Sequence, residues 1–272
     1  MASEVDRAVT AVDRERLLSH LQSADERRAG ARVLDLVEQA LRYDKAVATD
    51  FLDPHERQVA VSVLGSIPEV SFRAYGGYPK AERQRLLIFP EYESGEELEE
   101  PVAALEIAVR SGPGEVGHRD CLGALLGTGI DRAKVGDILV TPRGFQAVVA
   151  LEVADFLAGQ LTRVGRADAA VQRIDLDQLD VEPERVKEVR TTVASLRLDA
   201  VAAAGYGVSR TRMAREIKAE RVKLNWRPVR DPAREVGPGD VVSIRGRGRV
   251  VVEAVEGTTR KGRISVVLKR YM

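Results

Sequence analysis

The chain changes the sign of its charge near residue 190, and no other feature limits its folding more. Residues 190–272 hold 19 Lys and Arg against 8 Asp and Glu, a net of +11, while residues 1–189 hold 23 against 34, a net of −11. A chain of 272 residues split in this way is expected to form two or three units with separate cores, at roughly 100–200 residues per domain. A basic terminal domain points to a polyanionic partner; the plainer alternative is a basic domain packed on an acidic neighbour. The zero net charge therefore says little about what the chain binds.

Several function classes drop out. An apolar fraction of 44% with 31% charged residues belongs to a folded globular chain. No uninterrupted apolar run approaches the ~20 residues that cross a bilayer, and MASEVDRAVTAVDRER lacks the apolar core of a signal peptide. The expectation is a cytoplasmic protein without membrane contact. The one cysteine, Cys121, excludes an intrachain disulfide and a thiolate cluster, and His20, His55 and His118 lack metal-ligand spacing. No metal, cofactor or small-molecule substrate is expected.

The first 68 residues read as helical. Val33, Leu36, Val37, Ala40 and Leu41 recur at three- and four-residue intervals within Arg28–Asp50, and Asp53-Pro54 looks like an N-cap followed by proline at the first helical position. Residues 69–175 read as one α+β domain. Val70–Tyr75 and Arg85–Phe89 are plausible strands around a Gly76-Gly77 turn, and the acidic run Glu91–Glu100 reads as a solvated loop. A strand Val102–Val109, helix His118–Leu126, hairpin Asp137–Thr141 and Phe145–Leu151, helix Glu152–Leu161 and strand Ala169–Ile174 then follow. The order βαββαβ predicts a ferredoxin-like, RRM-like middle domain. RNA-recognition motifs stack bases on sheet aromatics, but this segment offers only Phe145 and Phe156, so a scaffold or contact role is expected. Residues 176–192, polar and acidic, read as a linker.

Residues 193–272 form the basic unit. A helix over RLDAVAAA precedes Ser209, which is placed to cap a second helix over Arg210–Lys218. The 3.6-residue period puts Met213 and Ile217 on one face and Arg212, Arg215 and Lys218 on the other, with Arg210 in the first turn. Lys223 and Arg227 follow, and Arg245-Gly246-Arg247-Gly248-Arg249 alternates cation with glycine, so that guanidiniums can fork onto phosphates while the backbone comes close. One such arginine alone is an ordinary surface charge; the set on one small domain points to nucleic acid. A second candidate patch interleaves Arg73, Tyr78, Lys80 and Arg83, with Arg119 further on. A solvated hairpin tip explains that patch equally well. Trp226, the one tryptophan, reads as a packed wedge. His118-Arg119-Asp120 shares three letters with a kinase catalytic loop but lacks every other kinase element, and GALLGTG lacks dinucleotide-loop spacing.

Arg197-Leu198-Asp199, Ser209-Arg210, Val222-Lys223-Leu224-Asn225 and Gly239-Asp240 resemble the signature of S4 RNA-binding domains. The resemblance implies an α-L fold with a C-terminal β extension and adds Arg197, Ser209 and Asn225 to the RNA-binding candidates. S4 domains usually carry glycine where this chain has Glu220. Upstream, Thr49–Pro54, Tyr75-Gly76-Gly77-Tyr78, His118–Gly123, Gly136-Asp137-Ile138 and Val164-Gly165-Arg166 are similar to the bacterial YlmH family. That resemblance implies a non-enzymatic factor on ribosomal RNA of the large subunit, in ribosome-associated quality control, with tRNA or peptidyl-tRNA as a further partner. Two other readings stay open. One is an RNA-modifying enzyme of pseudouridine synthase or methyltransferase type, targeted by its S4 domain; the other is a protein-interaction adaptor in cell division.

Overall fold

A computed structural model of the chain describes residues 11–110, 116–181, 186–260 and 262–271, side chains from residue 14 onward. It divides into two compact units, Met1–Val181 and Glu182–Met272.

The first unit opens with α1 (Ala11–Leu18), α2 (Ala24–Tyr43), the short β1 (Val47–Ala48) and α3 (Pro54–Leu64). Ser23 and Asp53 each begin a helix with a reciprocal capping box, their side chains accepting from Glu26 and Glu56 backbone N–H groups. The apolar stripe of α2, Val33, Leu34, Val37 and Ala40, packs with Val59, Ala60, Val63 and Leu64 of α3. The strands β2 (Val70–Tyr75) and β3 (Arg85–Pro90) close this domain, in sheet order β1-β3-β2. This corrects the expected boundary at residue 68. Leu86 and Ile88 of β3 point into the helical core, so the hairpin completes the N-terminal domain instead of opening the next one.

The middle domain has β4 (Val102–Val109), α4 (His118–Gly127), β5 (Val135–Thr141), β6 (Gly144–Ala150), α5 (Ala154–Gln160), β7 (Arg163–Val164) and β8 (Ala167–Ile174). Its sheet order is β5-β6-β4-β8-β7 with every pair antiparallel. Together with the βαββαβ sequence, this is the ferredoxin-like arrangement. Alternation along β4 and β6 sends Leu105, Ile107, Phe145, Ala147 and Val149 to the helix side, against Cys121, Leu125 and Leu157. Val102, Val148 and Ala150 face the other way and meet Phe51 and Tyr75 of the N-terminal domain. The rest of that second face is polar, with Glu106, Gln146 and Gln172. Phe145 is core and Phe156 lies exposed on α5, so the strands carry no aromatic ring on the face that an RNA-recognition motif would use.

The second unit contains β9 (Val186–Val193), α6 (Leu198–Tyr206), α7 (Arg210–Lys218), β10 (Val222–Leu224), β11 (Arg227–Pro228), β12 (Val241–Ile244), β13 (Gly248–Thr258) and β14 (Ile264–Tyr271). One six-stranded antiparallel sheet runs β11-β10-β12-β13-β14-β9. Residues 186–193, most of them assigned above to a linker, pair along their whole length with β14, from Val193↔Ile264 to Val186↔Tyr271. Val189 and Val193 join the core, while Lys187, Glu188 and Arg190 are exposed and make the strand look like a solvated tether. Such charges keep an edge strand from pairing further. Helices α6 and α7 cover one face of the sheet, and the core lies between. Gly205 permits this packing, since a Cβ there would sit 2.6 Å from a methyl carbon of Val250. Among the described residues, no helix is long and apolar enough to cross a membrane.

Candidate nucleic-acid interface

Ser209 caps α7 as the sequence predicts, its hydroxyl accepting from the Arg212 N–H at 3.3 Å. Met213 and Ile217 are fully buried, which turns Arg212, Arg215 and Lys218 to solvent. None of these three side chains has an acidic partner among the described residues. They form a row of available positive charge on a rigid element.

Arg210 behaves differently. Its guanidinium lies 3.0 Å from the buried carboxylate of Asp199, which also holds Arg197 at 3.0 Å. Burial by itself raises the Asp199 pKa, but the bonds from Arg197 and Arg210 outweigh it and hold the carboxyl below its ordinary value. Arg197 and Arg210 therefore tie the start of α6 to the start of α7, and both remain partly exposed beside the α7 row.

The Arg-Gly loop joins β12 to β13. Gly246 and Gly248 both take φ of +77°, a conformation that suits glycine. The Tyr206 hydroxyl lies 2.9 Å from the carbonyl oxygens of Val242 and Gly248 and fixes the base of the loop to α6. Arg247 turns toward α7, 3.6 Å from Glu216, which Arg221 approaches at 3.4 Å. That contact places the loop beside α7 and leaves Arg245 exposed at its tip.

Lys223 and Arg249 lie elsewhere. Val222, Leu224, Val250 and Val252 face the helices, so alternation sends Lys223 and Arg249 to the uncovered sheet face. The register aligns Lys223, Ser243, Arg249, Tyr271 and Val186 across that face, and the Arg249 guanidinium sits 4.6 Å over the Tyr271 ring. The cations therefore occupy two faces of the sheet, not one. Arg227 is exposed on β11. Asn225 is engaged inside the fold. Its amide donates to Asp240 at 2.7 Å and its oxygen accepts from the Val241 N–H at 2.8 Å, fastening the turn before β12.

The second patch of the sequence mostly dissolves. Asp137 accepts from the Tyr78 hydroxyl at 2.8 Å and from the backbone of Glu82 and Arg83. Arg83 donates to the carbonyls of Phe51 and Val135, and Arg73 is held by the Leu98 carbonyl and Glu100 of the acidic loop. Tyr78 and Arg83 thus dock the hairpin onto the middle domain, because Asp137 lies within reach only in the folded chain. Lys80 and Arg119 are exposed. Asp120 accepts from the Gly117 N–H at 2.8 Å and caps α4, as its place in a first turn suggests. Among the described residues, no cluster of three or more His, Cys, Asp or Glu side chains is placed to hold a metal ion. Burial pushes the Cys121 thiol up to about 12, which makes it a core group rather than a nucleophile.

Sequence reasoning named Asp137 and Asp199 only within the family-like segments, gave neither a role, and did not single out Tyr206. The one available signal for Asp137 was a charged residue following glycine in an otherwise apolar strand. Nothing local marked Tyr206.

A capped cationic helix and a glycine-hinged arginine loop on a small antiparallel sheet define an S4-type RNA-binding protein. Family models agree along the chain. "YlmH, N-terminal" matches residues 25–93, "Putative RNA-binding domain in YlmH" matches 101–178 and "S4 domain" matches 196–242. The "Ribosome-associated protein quality control protein P2" of Bacillus subtilis (strain 168) is 39% identical over 241 residues, covering 86% of this chain and 93% of that protein. The chain belongs to the YlmH family. The solved structure of "Cell division protein ylmH from Streptococcus pneumoniae" matches 58% of this chain and 97% of its own, with a TM-score of 0.51 at 20% identity, a likeness of fold.

Proposed function

We propose that this protein is an RNA-binding factor without catalytic chemistry of its own, gripping structured ribosomal RNA on the large subunit in ribosome-associated quality control. The observation that carries the reading is the α7 row, Arg212, Arg215 and Lys218, exposed and lacking acidic partners among the described residues, beside the Arg245 loop. Arg197 and Arg210 flank the row and add weaker phosphate contacts. Lys223, Arg227 and Arg249 meet RNA that wraps past the sheet edge. The relative of 39% identity, named for ribosome-associated quality control, supports the biological setting. Because A-form RNA hides its major-groove edges, the grip reads shape and backbone. Lys80 and Arg119 of the first unit are the candidates for a tRNA or second ribosomal contact.

The test is sedimentation of lysate through sucrose gradients at low and raised salt, with the unaltered chain and with Arg212→Glu/Arg215→Glu. Co-migration with free large subunits that weakens with salt and vanishes in the variant is expected. In parallel RNA-binding assays, each lost phosphate contact lowers the slope of log K against log salt by about 0.7–0.9. An unchanged slope and unchanged co-migration in the variant overturn the assignment of this face.

A further inference from the structure

The hairpin between β10 and β11 turns through two residues, Asn225 and Trp226, with Leu224 and Arg227 paired across its base. Both turn residues are left-handed, at φ +49° and +63°. Such a two-residue turn favours Asn followed by Gly, because the second position strains any residue with a Cβ. Here that position carries the largest side chain available. Asn225 fastens the turn to Asp240 and Val241, so the surroundings hold the strain in place. Trp226 is partly buried and is not one of the residues that build the unit's apolar core. Strained backbone positions that a fold holds in place cluster at functional sites.

The location suggests the function. β11 ends the sheet, and β10 comes next. The helices cover one face and Lys223 lies on the other. An RNA strand running from the α7 cations to Lys223 must pass this margin, where the backbone holds an indole at a tight tip.

We infer that Trp226 stacks on an unpaired nucleobase of the bound RNA, so that the unit reads a flipped or looped base as well as backbone shape. This rests on the RNA-binding reading above. Aromatic side chains stack on any base, and single-stranded loops are where bases are free to receive them. The turn strain fixes where the ring emerges, so little side-chain freedom is lost on binding.

Because the chain holds one tryptophan, fluorescence excited selectively at the indole, beyond the absorption of the six tyrosines, reports on Trp226 alone. The full chain is titrated with a fluorescein-labelled RNA hairpin bearing an unpaired loop and, separately, with a blunt RNA duplex of equal length, and anisotropy of the label gives the affinity. Expected results are quenching of Trp226 by the loop RNA but not by the duplex. Trp226→Gly should melt no lower than the unaltered chain, bind the loop RNA about tenfold more weakly and leave duplex binding unchanged, while Trp226→Phe restores most of the loop affinity. Purified large subunits and deacylated tRNA, each used as competitor, identify whether the base is ribosomal or from tRNA. Fluorescence that stays constant while anisotropy reports loop binding overturns the stack and leaves the cationic grip standing. So does a Trp226→Gly variant that melts several degrees lower with unchanged affinity, because the ring is then a packing wedge. Failure of the unaltered chain to bind either RNA overturns the RNA-binding reading itself, and the stack with it.

Discussion

Glu220 follows α7 with a left-handed backbone, φ +55°. The chain departs there from the glycine that S4 domains usually carry, and the structure shows that the backbone keeps the glycine conformation. A Cβ in that region costs roughly 1 kcal/mol, and the exposed pair that Glu220 makes with Arg230 at 2.5 Å returns little of it. Glu220→Gly is therefore expected to stabilise the second unit by about 0.5–1 kcal/mol, read as a higher urea midpoint at unchanged slope. A midpoint that falls would mean that the Arg230 pair matters more than the strain. Asp199 shows the opposite relation between a residue and its neighbours. Two arginines that looked like plain RNA ligands in the sequence are also the counter-charges that permit a carboxylate to sit buried at the start of α6.

At the scale of elements, the capped helices follow from local signals. Ser209 and the Met213/Ile217 spacing define α7 over Arg210–Lys218, the limits the sequence predicts. The strand β9 had no such signal. Its alternation is broken by charge, and its partner β14 lies at the far end of the chain. Val189 of β9 packs against the core, so Val189→Asp is expected to cost the second unit about 1–3 kcal/mol in urea unfolding. A tether at this position predicts no change. The hairpin β2–β3 teaches the same lesson. Its strands were legible, but their membership in the N-terminal domain was not, because that depends on Leu86 and Ile88 finding the α2–α3 groove.

At the scale of the whole molecule, an ion network anchored on the buried Arg85 joins the N-terminal and middle domains of the first unit. Arg85, nearly inaccessible, donates to the carbonyls of Thr49 and Pro101 and to Glu152 at 2.7 Å. Lys134 bridges Glu152 at 2.8 Å and Asp50 at 2.7 Å. Burial raises the Glu152 pKa, but the hydrogen bonds from Arg85 and Lys134 prevail and bring it down to about 2. A depressed carboxyl stabilises the fold above its unfolded pKa, near 4.3. That contribution fades as pH drops from there toward 2. Thermal melts across this window are expected to show a steep loss for the unaltered chain. Glu152→Gln should be less stable at neutral pH and flatter below pH ~4; equal slopes for the two proteins would remove Glu152 from the acid response.

Taken alone, the sequence determined the α+β class, the helix caps, the βαββαβ order, the basic second unit and the cationic face of α7. These rest on propensity, periodicity and charge within a few turns of chain. Only the tertiary structure decided which candidate contact residues remain available. Asp137 takes Tyr78 and the Arg83 backbone, Glu100 takes Arg73, Asp240 takes Asn225, and the strand register sends Lys223 and Arg249 to the opposite sheet face from α7. The physical reason is that a charge is neutralised by whatever acid the fold brings within about 4 Å, and a side chain's face is set by its partner strand. Both depend on residues far away in the chain, where local pattern carries no information.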